Sequence, residues 1–243
     1  MSIKSIKLLF DGYFELDMGM LVYAKTPYYG KKYQAALKPL LVQTDSENIL
    51  IDTGMGELPE EYRQYYKPDR KQTLENSLAN QGLAPEDVSI VINTHLHADH
   101  CGNNRLFSRA KFIVQEEELK YAYNPHRFQK GGYIKKLFDG LDFTTVNGDC
   151  EVFPGISVIQ TSGHTPGHQS VVIDATNTPV KRTIIYCGDE APLEENLQKR
   201  NITGILYNQV KSLAAIDRLR SIDAAYIYSH DNTQLELKTS DTV

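Results

Sequence analysis

The stretch "NTHLHADHCGNN", residues 93–104, constrains this chain more than any other. Three of its seven histidines, with an aspartate between two of them, fall within six consecutive positions, His95 to His100. The run begins where "DVSIVINT" (87–94) stops, and that segment is almost continuously apolar and rich in β-branched residues. Such a composition suits a strand buried on both faces. A fold that accepts this sequence must bury the strand and still present polar side chains at its mouth, where rigid scaffolds carry their chemistry. In H-x-H-x-D-H, an extended or looped backbone lets the rings of His95 and His97 converge on one ion. The turn that follows can aim Asp99 and His100 at a second ion beside it. Neutral imidazole and carboxylate suit zinc and similar first-row divalent ions.

The remainder of the chain reads as strands joined by turns, with helices between them. "LLVQTDSENILIDTG" (40–54) is a hairpin pattern, two apolar runs around a polar turn at Asp45 to Asn48. "TLENSLANQGL" (73–83) reads as a short helix with Leu74 and Leu78 on one face and Gly82 as its stop. "KFIVQ", "ISVIQTSG", "HQSVVID" and "RTIIYCGD" are further strands. Val210, Leu213, Ile216 and Leu219 recur every third residue and predict a helix against a sheet, before a last strand in "AAYIYSHD" (224–231). No repeat, low-complexity tract or linker divides the 243 residues, so residues 1–243 are expected to form one α/β domain with two sheets and outer helices.

Other ligand-type residues sit at the ends of these strands. His164 lies in "TSGHTPGHQS", Asp189 in "YCGDEA" and His230 in "YSHD", each beside Gly or Ser. A lone histidine is more often a hydrogen-bonded core or surface residue, and "GD" is a common turn dipeptide. The cluster at 95–100 changes that weighting and makes all three candidate ligands. His126, in "NPHRF", has no such context and is expected to be a bystander.

Composition narrows the function. A net charge of −5 argues against nucleic-acid binding, which normally needs a basic face. The opening "MSIKSIKLLFDGYFELD" lacks the uninterrupted apolar core of a signal peptide, and no segment is long and apolar enough to span a membrane. Cys101, Cys150 and Cys187 form an odd set with no C-x-x-C pair, so a disulfide framework is not expected and a reducing cytoplasm is the simplest location. Cys101 and Cys187 flank candidate ligands but read as small packing residues.

The set "ILIDTG", H-x-H-x-D-H, "GHTPGH", "GD" and a late "SH", in that order from residue 49 to residue 230, resembles the metallo-β-lactamase-fold hydrolases. Among them the chain is most similar to the N-acyl-homoserine lactone lactonases, the quorum-quenching branch. That likeness covers "ILIDTGM", "THLHADHCGNN", "TSGHTPGHQSVVI" and the pair Glu195-Asn196. The resemblance implies an αβ/βα sandwich, two mixed sheets flanked by helices, with two metals at one edge. It assigns His95, His97 and His164 to one metal and Asp99, His100 and His230 to the other, with Asp189 bridging. Asp52 and His168 would orient ligands without touching metal. Zinc is the expected ion, with iron, manganese or cobalt as alternatives. A hydroxide shared by the metals would open a small-molecule lactone or ester, and Asp99 would carry the proton to the leaving group.

Two departures bear on substrate. The lactonases carry a tyrosine three residues after the bridging aspartate, where this chain has Pro192, and a bulky aromatic where it has Ala98. Tyr207 or Tyr133 could supply a replacement hydroxyl. The tyrosine-rich segment "MLVYAKTPYYGKKYQ" (20–34) reads as a loop near the pocket, a homodimer contact or a solvated surface. The alternative enzyme reading is a glyoxalase-II-like thioester hydrolase or another esterase of the fold. The ending "DNTQLELKTSDTV" lacks the basic region a glutathione thioester would favour. Acidic charge disfavours a nuclease, and His97 disfavours a redox diiron protein, which typically has glutamate there. A metal-binding module without turnover stays open at this level.

Overall fold

The computed structural model describes residues 2–178 and 181–236. Its strands are β1 (Ile3–Leu8), β2 (Tyr13–Asp17), β3 (Lys32–Ala36), β4 (Leu40–Thr44) and β5 (Asn48–Ile51). There follow β6 (Ile90–Ile92), β7 (Lys111–Gln115), β8 (Phe143–Val146) and β9 (Cys150–Phe153). The last are β10 (Ile156–Gln160), β11 (Gln169–Ala175), β12 (Arg182–Tyr186) and β13 (Ala225–Ile227). The helices are α1 (Glu60–Tyr66), α2 (Leu74–Ala79), α3 (Ala98–Cys101), α4 (Glu116–Tyr123), α5 (Glu194–Gln198) and α6 (Gln209–Arg220).

One sheet runs in the order β1-β4-β5-β6-β7-β8 and the other in the order β13-β12-β11-β10-β9, while β2 and β3 form a separate ribbon. Side-chain alternation along each strand decides the layers. Leu40, Val42, Ile49 and Ile51 point inward and meet Val158, Val171, Ile173 and Ile184 of the opposite sheet. Their neighbours Leu41, Leu50 and Val91 point outward and pack on Leu74 and Leu78 of α2. On the far side, Ile185 packs on Leu197 of α5 and on Ile216 and Leu219 of α6. Both faces of the central strands are thus covered, which is why they read as unbroken apolar runs. The architecture is an αβ/βα sandwich of two mixed sheets.

Parallel pairing at the centre sets up the site. Ile51 is in register with Ile92 across the β5-β6 pair, so both strands finish at the same edge. In the second sheet Tyr186 is in register with Ile227, and β12 and β13 finish together as well. The antiparallel pair Gln160 and Gln169 brings the turn between β10 and β11 to that edge. Gln169 ties the sheets together there, its backbone N–H donating to Thr94 O at 2.9 Å and its side-chain amide to Asn93 O at 2.9 Å.

Several elements differ from the sequence pattern. The helix expected over 73–83 is helical only through Ala79, with Thr73 accepting from Asn76 N as its cap. The period of three in α6 is misleading: Val210 is 80% exposed and Leu213 40%, whereas Ser212, Ala215, Ile216 and Leu219 are buried. A helix turns every 3.6 residues, so a strict three-residue repeat drifts off the packed face. The segment 20–34 holds a short 3-10 turn at Thr26–Tyr28 and then enters β3 at Lys32. Helices α4 and α5 are not legible as helices in the sequence, being short and charged, and α1 is marked there only by the spacing of its tyrosines. Part of the C-terminal stretch, residues 237–243, lies outside the described residues.

Leu219→Ala should destabilise the protein by about 2–5 kcal/mol, the cost of emptying a packed leucine site. Val210→Ala, on the solvent side of the same helix, should stay within about 0.5 kcal/mol. Denaturant unfolding of the two variants checks this; equal losses would contradict a packed face built on Ile216 and Leu219.

Candidate metal centre

Five loops deliver side chains to the common edge. Asp52 follows β5, the run His95–His100 follows β6, His164 follows β10, Asp189 follows β12 and His230 follows β13. His95, His97 and His164 form one group of converging donor atoms, and Asp99, His100, Asp189 and His230 form another. Within the first, Nε2 of His95 and Nδ1 of His97 are 3.0 Å apart, and Nε2 of His164 lies 3.2 and 3.0 Å from them. In the second, Oδ1 of Asp189 lies 3.1 Å from Nε2 of His100 and 3.2 Å from Nε2 of His230. Oδ2 of Asp99 lies 3.4 Å from Nε2 of His230. Oδ2 of Asp189 reaches back to within 3.7 Å of Nε2 of His164, so this one carboxylate faces both groups.

Hydrogen bonds behind the rings fix which nitrogens face inward. Nδ1 of His164 donates to Ile205 O at 2.8 Å, and Nδ1 of His230 donates to Ala36 O at 2.9 Å. Carbonyl oxygens only accept, so Nε2 of each neutral ring is a bare lone pair. Nδ1 of His100 donates to Oδ2 of Asp52 at 2.7 Å, with the same result. The hydroxyl of Thr94 donates to Oδ2 of Asp52 at 2.8 Å, which leaves its oxygen to accept from Nδ1 of His95 at 3.0 Å. Asp52 therefore orients His100 directly and His95 through Thr94. It does so from the left-handed backbone region, φ +55°, which aspartate tolerates better than most residues. His168 accepts from Asp189 N at 3.0 Å through Nε2, and its Nδ1 meets Thr161 Oγ1 at 2.9 Å. Gly188 makes room for this contact: at φ +58°, a methyl there would lie 2.6 Å from Nε2 of His168.

Inward-facing lone pairs about 3 Å apart repel one another and the carboxylates unless positive charge sits among them. Nε2 of His100 and of His230 are buried with no hydrogen-bond partner among the described residues, despite their closeness to Asp189. The donor set, nitrogen and carboxylate oxygen, fits two divalent ions side by side. The electrostatics separate the two groups. Burial, reinforced for His97 by the neighbouring His164, holds His95, His97 and His164 below the ordinary histidine range, with His97 near 3. They stay neutral, as ligands must. Burial acts the same way on His100 and His230, but Asp189 and Asp99 outweigh it and raise both, His230 to about 9. Burial would raise Asp189 too, yet His230 and His100 bring it well below the usual carboxylate range.

A cavity of about 670 Å³ opens onto the centre, with His97, Asp99, Asp189 and His230 in its floor. Its walls are largely apolar, among them Phe14, Leu16, Met20, Leu21, Phe128 and Ile205. Tyr62, Tyr65 and Tyr66 of α1 also line it; their i, i+3, i+4 spacing in "EYRQYY" is the sequence signal for this face. The segment 20–34 reaches the wall through Met20, Leu21 and Lys32.

The expectation that Tyr133 or Tyr207 supplies a substrate-facing hydroxyl needs correction. Tyr133 is buried and its hydroxyl donates to Glu118 at 2.9 Å, and neither it nor Tyr207 lines the cavity. Tyr207 instead stacks on His126 at the surface, 6.0 Å between ring centres. Pro192 is a backbone anchor, its carbonyl accepting from His230 N at 3.0 Å. The pair Glu195-Asn196 holds chain segments together: Glu195 binds Lys25 and Tyr28, and the amide of Asn196 donates to Leu21 O at 3.0 Å. Cys101 and Cys187 are free and buried.

Known proteins are similar to this chain in sequence and in fold. An N-acyl homoserine lactonase from Bacillus sp. is 29% identical over 234 residues, covering 91% of this chain and 89% of that one. The N-acyl homoserine lactonase AttM from Rhizobium radiobacter is 33% identical over 176 residues, covering 67% of this chain and 65% of its own. An N-acyl homoserine lactone hydrolase solved with the product N-hexanoyl-L-homoserine at its catalytic metal centre superposes with a TM-score of 0.84. It is 26% identical, and the match covers all of both chains. The sequence profile described as the metallo-beta-lactamase superfamily matches residues 39–230, from the start of the first hairpin to the last histidine of the cluster. By sequence and by fold, this chain belongs to the metallo-beta-lactamase superfamily.

Proposed function

We propose that this protein is a dinuclear-metal lactonase, residues 1–243 acting as one hydrolase domain on N-acyl-homoserine lactones or related lactones. The observation that carries the reading is the apolar cavity whose floor is the cluster of seven donors. A molecule with a polar ring and an aliphatic tail matches it end for end. Likeness to N-acyl homoserine lactonases along nearly the whole chain supports the same class.

His95, His97 and His164 would hold one ion, Asp99, His100 and His230 the other, and Asp189 would face both. The donor set favours zinc. When bound, such ions supply Lewis acidity and lower the pKa of water from 15.7 to about 7, which ester hydrolysis at neutral pH requires. The protein's own groups do the rest. Asp99 sits in the cavity floor, within 3.4 Å of His230 and 3.7 Å of His100, where its carboxylate can take up a proton and pass it to a departing alkoxide. The walls exclude bulk water from the ring and grip the tail. Free cysteines fit a reducing compartment, and we place the enzyme in the cytoplasm.

Purified protein should hold close to two divalent ions per chain; Asp189→Asn should weaken both sites, His230→Ala mainly one. Elemental analysis decides, and a metal-replete chain with a single ion would refute the dinuclear reading. Asp52→Asn should cost about 10–100-fold in metal affinity or activity through the ligands it orients, whereas His126→Ala should leave both intact. Reversed effects in a lactone-hydrolysis assay would overturn the roles of these two residues. Finally, each methylene buried by the cavity is worth up to about 0.8 kcal/mol, about fourfold in kcat/KM. Activity should therefore rise from butanoyl- to decanoyl-homoserine lactone and vanish on chelation. An enzyme that ignored these rings but cleaved lactoylglutathione or a phosphodiester would end the lactonase assignment and leave the fold.

A further inference from the structure

His97 differs from the other four imidazoles of the cluster in how it is held. His95, His100, His164 and His230 each have a hydrogen bond at the back of the ring, to Thr94, Asp52, Ile205 O and Ala36 O respectively. His97 has none: its Nδ1 faces His95 and His164, and its Nε2 is buried without a polar partner among the described residues. What fixes the ring is packing. The ring of Tyr133 meets it edge-on, 4.6 Å between centres, and the backbone of Gly132 closes on its Cδ2–Nε2 edge. A methyl at residue 132 would lie 2.6 Å from Cδ2 and 2.8 Å from Nε2 of His97, too close for any real contact. Gly132 does not have the positive φ that would call for glycine on backbone grounds. Space for His97 is what calls for it.

The segment that carries Gly132 is itself anchored on both sides. Gln129 donates to His164 O at 2.6 Å and accepts from the Tyr121 hydroxyl at 2.9 Å. Tyr66 of α1 donates to Gly131 O at 2.9 Å, and the Tyr133 hydroxyl is tied to Glu118, which also accepts from Leu96 N at 3.0 Å. The segment 129–133 therefore touches two of the three histidines in the first group and none of the hydrogen bonds that orient the second.

We infer that Gly132 is a positioning residue for the three-histidine half of the centre, setting the His97 ring by close approach where the other ligands are set by hydrogen bonds. The inference rests on the dinuclear reading above. It makes the two halves separable: a side chain at 132 displaces His97 and loosens one ion while the other keeps its ligands. The neighbouring glycine supplies the control, since a methyl at Gly131 would meet nothing within 4 Å.

The test is cobalt(II) titration of the metal-stripped full-length protein, followed by visible absorption, for wild type, Gly131→Ala and Gly132→Ala. Wild type and Gly131→Ala should fill two sites alike. Gly132→Ala should fill one site normally and the other about 10–100-fold more weakly, the range for a disturbed ligand-orienting contact. A Gly132→Ala titration that overlays wild type overturns the inference. Should that variant not fold, Tyr133→Leu decides, because it removes the ring that meets His97 edge-on without adding bulk. The same single-site weakening supports the assignment, and a wild-type curve overturns it. A wild-type chain that takes up no second ion removes the dinuclear reading and this inference with it.

Discussion

Seven nitrogen and oxygen donors crowd one edge of the sandwich with their lone pairs facing each other, and that mutual repulsion is what the surrounding structure must withstand. It does so from behind. Asp52 is the chief restraint: its two oxygens accept from Thr94 N at 2.7 Å, from the Thr94 hydroxyl and from His100, so one carboxylate sets the end of a strand and two imidazoles. Backbone carbonyls of Ile205 and Ala36 restrain His164 and His230. With ligands already oriented, little reorganisation is left for metal binding, which is the value of such outer contacts.

The loops that carry the ligands are held by further buried acids. Glu118 accepts from Leu96 N, the Tyr133 hydroxyl and Thr165, bracing the His95–His97 loop against the "TPGH" turn. Glu190 accepts from His164 N at 3.0 Å and from Ser212 of α6. Asp11 accepts from Met55 N at 2.9 Å, Gly56 N at 3.1 Å and Leu74 N at 2.8 Å, fastening the segment after β5 to the start of α2. Burial raises all three acids, Glu190 to about 7, against the lowering effect of these bonds. A buried carboxylate that satisfies several backbone donors turns a surface loop into a rigid mount, and removing it would strand those donors.

The chemistry and the substrate reading thus draw on different parts of the molecule. The donors come from strand ends fixed by sheet register, whereas the cavity wall comes from the ribbon strand β2, from α1 and from the 128–132 segment. Register belongs to the sheets; the wall is made by side chains outside them. Tyr62, Tyr65 and Tyr66 add nothing to the ligand set, yet they shape what can reach it.

The sequence alone determined the cluster and the layers. His95, His97, Asp99 and His100 fall within one short run, and His164, Asp189 and His230 sit at the ends of apolar runs, so local spacing is enough to propose them together. Strands such as β5, β6 and β12 are legible because both their faces are buried, which leaves an unbroken apolar record. What spacing cannot supply is contact between distant segments. Glu118 and Glu190 look like surface charges in "EEEL" and "GDEAP", and only tertiary packing encloses them. The period-three pattern in α6 suggests a buried face that the helix's own 3.6-residue turn does not keep, and Val210 lies in solvent. Gly132 and His97 lie 35 positions apart, and nothing in either neighbourhood announces that one leaves room for the other. Identity of the ligands is a property of the chain; their orientation is decided by the fold, because His95 is aimed through Thr94 by the distant Asp52 and every other ring by a group remote in sequence or by the space a missing side chain leaves.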